Sequence, residues 1–149
     1  MSPCHCMTNF VRLLIGLFFT GFNVNAAEQE HSISRLTPGV WEAQSIGGRE
    51  TALLVILEFA DAQRIIGSLG CNLVNAHYVL SPRGEIAISR ITPSRRPCPA
   101  DLLAEEKKVI QALQEARSVR GTRQTLRLID SSGRTLIQFI PPTGPVVCH

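Results

Sequence analysis

Residues 75–91 read NAHYVL, then SPRG, then EIAISRI, and this stretch decides the fold class. Pro82 at the second and Gly84 at the fourth place of Ser81-Pro82-Arg83-Gly84 suit a type I turn. After it, Ile86 and Ile88 alternate with the smaller Ala87, so the two isoleucines share one side of a strand. Two short alternating runs joined by turn residues predict an antiparallel hairpin. A lone hairpin is unstable in water, so more strands must flank it.

Upstream, Thr37-Pro38-Gly39 is a turn signal, 40–46 reads as a first strand, and Gly47-Gly48 breaks it. The nearly continuous aliphatic run 52–59 predicts a strand covered on both faces for much of its length. Asp61-Ala62-Gln63 turns the chain into a third strand over 64–69, where Gly67 and Gly70 mark a bend or a close backbone approach. Downstream, 92–99 holds three prolines and reads as a loop. From about 100 to 118 the period becomes helical. Leu102, Val109, Leu113 and Ala116 recur at steps of seven, four and three, Leu103 and Ile110 widen the stripe, and Glu105, Lys107, Lys108, Gln111 and Glu115 take the other side. Asp101 suits the positive end of the helix dipole. A short strand near 118–120, then strands over 125–129 and 135–140 joined by Asp130-Ser131-Ser132-Gly133, close the pattern. The expected fold is α+β: a strongly curved antiparallel sheet or cracked barrel of seven to eight strands with one packed helix.

The chain of 149 residues is 44% hydrophobic and 18% charged, which fits one globular domain and excludes a disordered one. Its first residues belong to a different pattern. Arg12 precedes an apolar run ending at Phe22, followed by polar residues and Ala26-Ala27, with Val24 and Ala26 at the −3 and −1 places of a cleavage site. That order predicts a secretion signal over 1–26, a polar leader over 27–36, a domain over 37–142 and a tail over 143–149. The apolar run is too short to span a bilayer comfortably. Removing Arg12 takes the formal charge one below the +3 of the whole chain, a mild excess that says little about partners. Arginines are bunched, at Arg90, Arg95 and Arg96 and at Arg117, Arg120, Arg123, Arg127 and Arg134, without the interleaved aromatics that nucleic-acid stacking needs. Of five cysteines, Cys71, Cys98 and Cys148 follow the expected cleavage, enough for one internal bridge and one thiol left over.

Gly67-Ser68-Leu69-Gly70-Cys71-Asn72, then Tyr78, then a Thr and Cys98 before an acidic helix, resembles the META domain of HslJ-like exported proteins. The order of a strand opening with Trp41, the GxxGCN turn, a cysteine before a helix and a terminal hairpin is met from Val40 to about Ile140. The resemblance implies a bent sheet with a helix against it, residence in the bacterial envelope, a link to heat shock or drug tolerance, and no catalytic activity. It singles out Gly67, Gly70, Cys71, Asn72, Tyr78 and Cys98. A Cys71–Cys98 bridge would tie the third strand to the loop before the helix. The rival reading is a reactive Cys98 thiol, activated by Arg95, Arg96 and the helix N-terminus, but a redox pair normally stands as CxxC and the mature chain has none.

Other chemistry is thinly represented. His77 has no second ligand at metal spacing, His31 and His149 lie near the ends, and Cys148-His149 supplies two ligands on a tail. No serine lies in a GxSxG context, and the adjacent Glu105 and Glu106 point in different directions. Trp41 reads as a core anchor. No cofactor or metal is expected. The expected function is a non-enzymatic envelope protein, monomeric, with an envelope protein or lipid as partner and peripheral membrane contact, and without nucleic acid. The alternative is a small lipid or lipoprotein carrier whose interior Ala52, Leu54, Ile56, Ile86, Ile88, Leu126 and Leu128 would line.

Overall fold

A computed structural model of the chain describes residues 39–60 and 63–144. The expected signal, the polar leader, His31, Cys148 and His149 lie outside them. Nine strands and one helix follow in the order β1 (Gly39–Ile46), β2 (Arg49–Glu50), β3 (Ile56–Ala60), β4 (Arg64–Ser68), β5 (Leu73–Leu80), β6 (Ile86–Pro93), α1 (Ala100–Glu115), β7 (Ser118–Gly121), β8 (Leu126–Ile129) and β9 (Thr135–Ile140). All pairings are antiparallel, and the sheet runs β6-β5-β4-β3-β1-β9-β8-β7, with β2 on β1.

The sheet curls until its two ends meet without zipping shut. Glu85 bridges Ser118, the amide of Ile86 donates to the Arg117 carbonyl at 2.9 Å, and that of Val119 donates to Gly84 at 2.8 Å. Beyond these links the ladder stays open, so this is a cracked barrel rather than a closed one. The helix lies between β6 and β7 in the chain and packs on β6, β9, β1 and β8, covering the inner face of the curl. Leu57, Ile65, Leu113, Leu126, Leu128, Ile137 and Phe139 are fully buried there. Tyr78 packs edge-on to Phe59 with ring centres 5.5 Å apart.

The structure corrects the expectation for residues 52–59. The run 52–59 is not one strand covered on both faces. Strand β3 begins only at Ile56, and Val55, Leu57 and Phe59 are buried while Ala52 is exposed, Ile56 half-buried and Leu54 57% exposed. The helix covers a single face, so the phase of the strand, hidden in an all-aliphatic run, decides which residues enter the core. Ala52, Leu54 and Ile56 therefore do not line the interior, whereas Ile86, Ile88, Leu126 and Leu128 do. Gly47-Gly48 ends β1 as expected and does more. With φ of 59° and 80° the two glycines form the primed turn that matches strand twist, and the chain folds back as β2.

Gly67 faces Leu57 in the β3–β4 ladder, where an added Cβ would be driven into the Ile56 carbonyl oxygen and the Leu57 backbone. Because the obstacle is main chain, it cannot step aside by changing rotamer. Gly67→Ala is expected to cost about 3 kcal/mol, read as a fall in urea midpoint at unchanged slope.

Candidate functional site

The GxxGCN turn leaves β4 and enters β5 through Gly70, whose φ of 121° only glycine adopts readily. The Leu69 amide donates to the Asn72 carbonyl at 2.7 Å and the Gly70 amide to Ser68 Oγ at 3.2 Å. This tight path turns the next two main-chain amides toward the helix, where Glu106 waits. Its Oε1 accepts the Cys71 amide at 2.7 Å and the Asn72 amide at 2.6 Å, and its Oε2 accepts Asn72 Nδ2 at 2.6 Å. Asn72 and Glu106 are each only 3% exposed, the buried polar pair of the described core.

Asn72 then reaches the loop between β6 and α1. Its Oδ1 accepts Ser94 Oγ at 3.1 Å and the Arg96 amide at 3.0 Å. An amide N–H can only donate and a carboxylate only accept, so these partners fix which end of the Asn72 side chain is oxygen. Ser94 also ties to Leu73 in both directions, its Oγ accepting the Leu73 amide at 3.0 Å and its own amide donating to the Leu73 carbonyl at 2.8 Å. Cys71 and Cys98 are bridged with Cα atoms 6.2 Å apart. Sheet turn, loop and helix are thus fastened at one point by a covalent bond and a buried polar network.

Burial by itself would raise the Glu106 carboxyl, but the Asn72 side chain and the Asn72 and Cys71 amides together outweigh it and hold the group below its ordinary value. Such a carboxylate is occupied by permanent donors and is no base for a substrate. Among the residues the sequence singles out, Gly70, Cys71, Asn72 and Cys98 converge here. Gly67 stands in the ladder, Tyr78 faces the core with its hydroxyl donating to the Ala60 carbonyl at 3.4 Å, and His77 is exposed on β5. Glu106 and Ser94 join the site from outside the motif. The signal for Glu106 was present: the seven-residue step from Leu102 to Val109 leaves the inward place at 106 occupied by an acid.

A second feature is an open cleft of about 590 Å³ between the β1–β2 turn, residues 51–53 and the first half of α1. Ile46, Ala52, Leu53 and Leu102 form its apolar part, and Arg49, Glu50 and the Glu105–Lys108 ion pair, at 2.6 Å, form its rim. Among the described residues there is no group of three or more His, Cys, Asp or Glu placed to hold a metal ion, and no helix long and apolar enough to cross a membrane.

The family model described as the META domain matches residues 34–141. No curated protein matches the chain. Among solved structures, a protein from Burkholderia xenovorans determined by NMR is similar at a TM-score of 0.60 and 16% identity, over 74% of this chain and 86% of that one. A second NMR structure aligns at 0.56 and 21%, over 72% and 92% of the two chains. A DUF4847 family protein from Bacteroides vulgatus aligns at 0.58 and 14%, over 75% and 98%. At these identities the likeness is one of fold.

Proposed function

This chain belongs to the META domain family, and from that premise we propose that it works outside the cytoplasm as a non-catalytic binding domain of the cell envelope, in the family's setting of heat shock and drug tolerance. The observation that carries this reading is the use made of the reactive side chains. Cys71 and Cys98 are joined, and every polar atom of the Asn72 and Glu106 side chains has a partner within the protein. Groups that elsewhere perform acid, base or thiol chemistry here hold a helix to a sheet. A bridge of this kind is favoured by an oxidising compartment, in keeping with the signal read over 1–26.

The test is chemical mapping of protein taken directly from cells. Blocking free thiols before lysis, followed by intact mass and peptide mapping, should find a chain beginning at Ala27 with Cys71 linked to Cys98. A full-length chain with both thiols blocked would overturn the reading.

The carrier alternative finds its site in the cleft. The interior is filled by Leu57, Ile65, Leu113, Phe139 and their neighbours, so an acyl chain would lie in the cleft beside α1, against Ile46, Leu53 and Leu102. Native mass spectrometry of the purified protein would reveal a retained lipid, and Leu53→Asp would abolish it.

A further inference from the structure

We propose that the Cys71–Cys98 bridge is a site of thiol–disulfide exchange with a dithiol, attacked at Cys71 Sγ and opened with Cys98 as the leaving thiolate. Cys71 is then the residue that carries the mixed disulfide. This chemistry lies beyond the binding role above and requires only the bridge itself.

The fold, not a CxxC spacing, brings the two sulfurs together across a separation of 27 residues, and it gives them unequal surroundings. Asn72 Nδ2 carries two hydrogens. One goes to Glu106 Oε2 at 2.6 Å, and the other reaches Cys98 Sγ at 3.5 Å. Cys98 also directly precedes Pro99, the N-cap of α1, where no side chain hydrogen-bonds to the first amides of the helix, so it lies beside the positive end of the helix dipole. Arg95 and Arg96, both exposed, precede it in the loop. Asp101 in the first turn offsets part of this positive field, whereas Asn72 donates to the sulfur directly. Cys71 has the reverse. Its amide is bound by Glu106 Oε1 at 2.7 Å, a carboxylate that its donors keep ionised. Negative charge is therefore better borne by Cys98 Sγ than by Cys71 Sγ. A disulfide opens fastest by losing the sulfur that leaves more readily as a thiolate. Both cysteines are half-buried rather than sealed, within reach of a small thiol.

In the first step a thiolate of the dithiol forms a bond to Cys71 Sγ, the bond between the two cysteines breaks, and its electron pair leaves on Cys98 Sγ. In the second, the other thiolate of the dithiol attacks its own partner sulfur in the mixed disulfide, the oxidised dithiol departs, and Cys71 is released as a thiolate. Two electrons pass to the bridge, and the two protons lost by the dithiol pass through water to the two cysteines. Opening does not require the helix to leave. Glu106 still accepts its three donors, and Ser94 and the Arg96 amide still hold Asn72 Oδ1, so the sulfurs stay close and the bridge can re-form.

Every thiol free in the purified bridged protein is blocked first. The protein is then treated with the monothiol 2-mercaptoethanol, which cannot take the second step, and quenched in acid. Newly freed thiols are labelled with N-ethylmaleimide, and trypsin, which cuts after Arg83 and Arg90 between the two cysteines, separates them for mass analysis. Mercaptoethanol on Cys71 with maleimide on Cys98 is expected in about tenfold excess over the reverse, with the far-UV spectrum of the folded protein retained. Dithiothreitol, a dithiol, should leave both cysteines free. In single-cysteine variants, Cys98 in Cys71→Ser should be alkylated at about pH 6 roughly tenfold faster than Cys71 in Cys98→Ser. Equal adducts on the two cysteines, the reverse order, or opening only under conditions that unfold the chain would overturn the proposal. The adduct map uses the parent protein, so it decides the matter even if a single-cysteine variant fails to fold.

Discussion

Glu106→Ala is expected to remove about 4 kcal/mol of stability, a large part of what a domain of this size possesses. Three donors, the Cys71 and Asn72 amides and Asn72 Nδ2, lose their only carboxylate acceptor, and each buried donor left unpaired costs about 1–3 kcal/mol. Glu106→Gln is the sharper variant. Its carbonyl oxygen can still accept the two main-chain amides, but its NH₂ then meets the NH₂ of Asn72. That amide cannot rotate to relieve the clash, because its oxygen is held by Ser94 and the Arg96 amide. A loss of about 2 kcal/mol is expected from one donor–donor contact at a buried site, measured by urea unfolding at neutral pH. If Glu106→Gln matched the parent, the network would not be what fastens the helix.

The same group gives a pH signature. Its folded value lies below the ordinary 4.5, so the unfolded chain takes up the proton first. The contribution to stability is complete above the unfolded value and is lost as pH falls through the folded one. The gap between parent and Glu106→Gln should accordingly shrink below about pH 4.5. Asp130 contributes in the same sense at lower pH. Hydrogen bonds from the Ser132 side chain, the Arg134 and Ser132 amides and the nearby Arg134 charge outweigh desolvation and hold its carboxyl at about 2, so an acid limb persists in the variant.

Breaking the bridge is the second large effect. Cys71 and Cys98 enclose a separation of 27 residues, for which chain entropy allows up to about 3.5 kcal/mol. Cys98→Ser, or reduction of the parent, should lower the melting temperature while leaving the far-UV spectrum of the folded state unchanged. A structural staple and the Glu106 network restrain the same turn, so the double variant Cys98→Ser/Glu106→Gln should lose less than the two single losses combined. A variant that melted like the parent yet lost its biological activity would point instead to a working thiol.

The tertiary structure explains the motif residue by residue. Gly67 permits the close pairing of β3 and β4, Gly70 supplies a left-handed turn, Cys71 is the staple, and Asn72 is the relay between helix and loop. Cys98 and the motif could be recognised from their order along the chain. Glu106 is legible only by phase: it falls on the apolar stripe between Leu102 and Val109, where an acid in a helix otherwise reads as solvent-facing. Ser94 lies in a proline-rich loop with no period at all.

What the sequence by itself determined is local. The alternation around Ile86 and Ile88, the helical steps from Leu102 to Ala116, and the turn residues at 81–84 and 130–133 set which segments are strands, helix and turns, because these periods are properties of the backbone. The tertiary structure alone decided the rest: that Val55 and Leu57 enter the core while Leu54 does not, that β6 and β7 meet only at Glu85 and Ser118, that Glu106 is buried, and that Arg120 faces Arg127. Burial and pairing depend on which distant segment covers a face; a uniform aliphatic run carries no record of that neighbour, and an acid on the apolar stripe of a helix does not say which donors it meets.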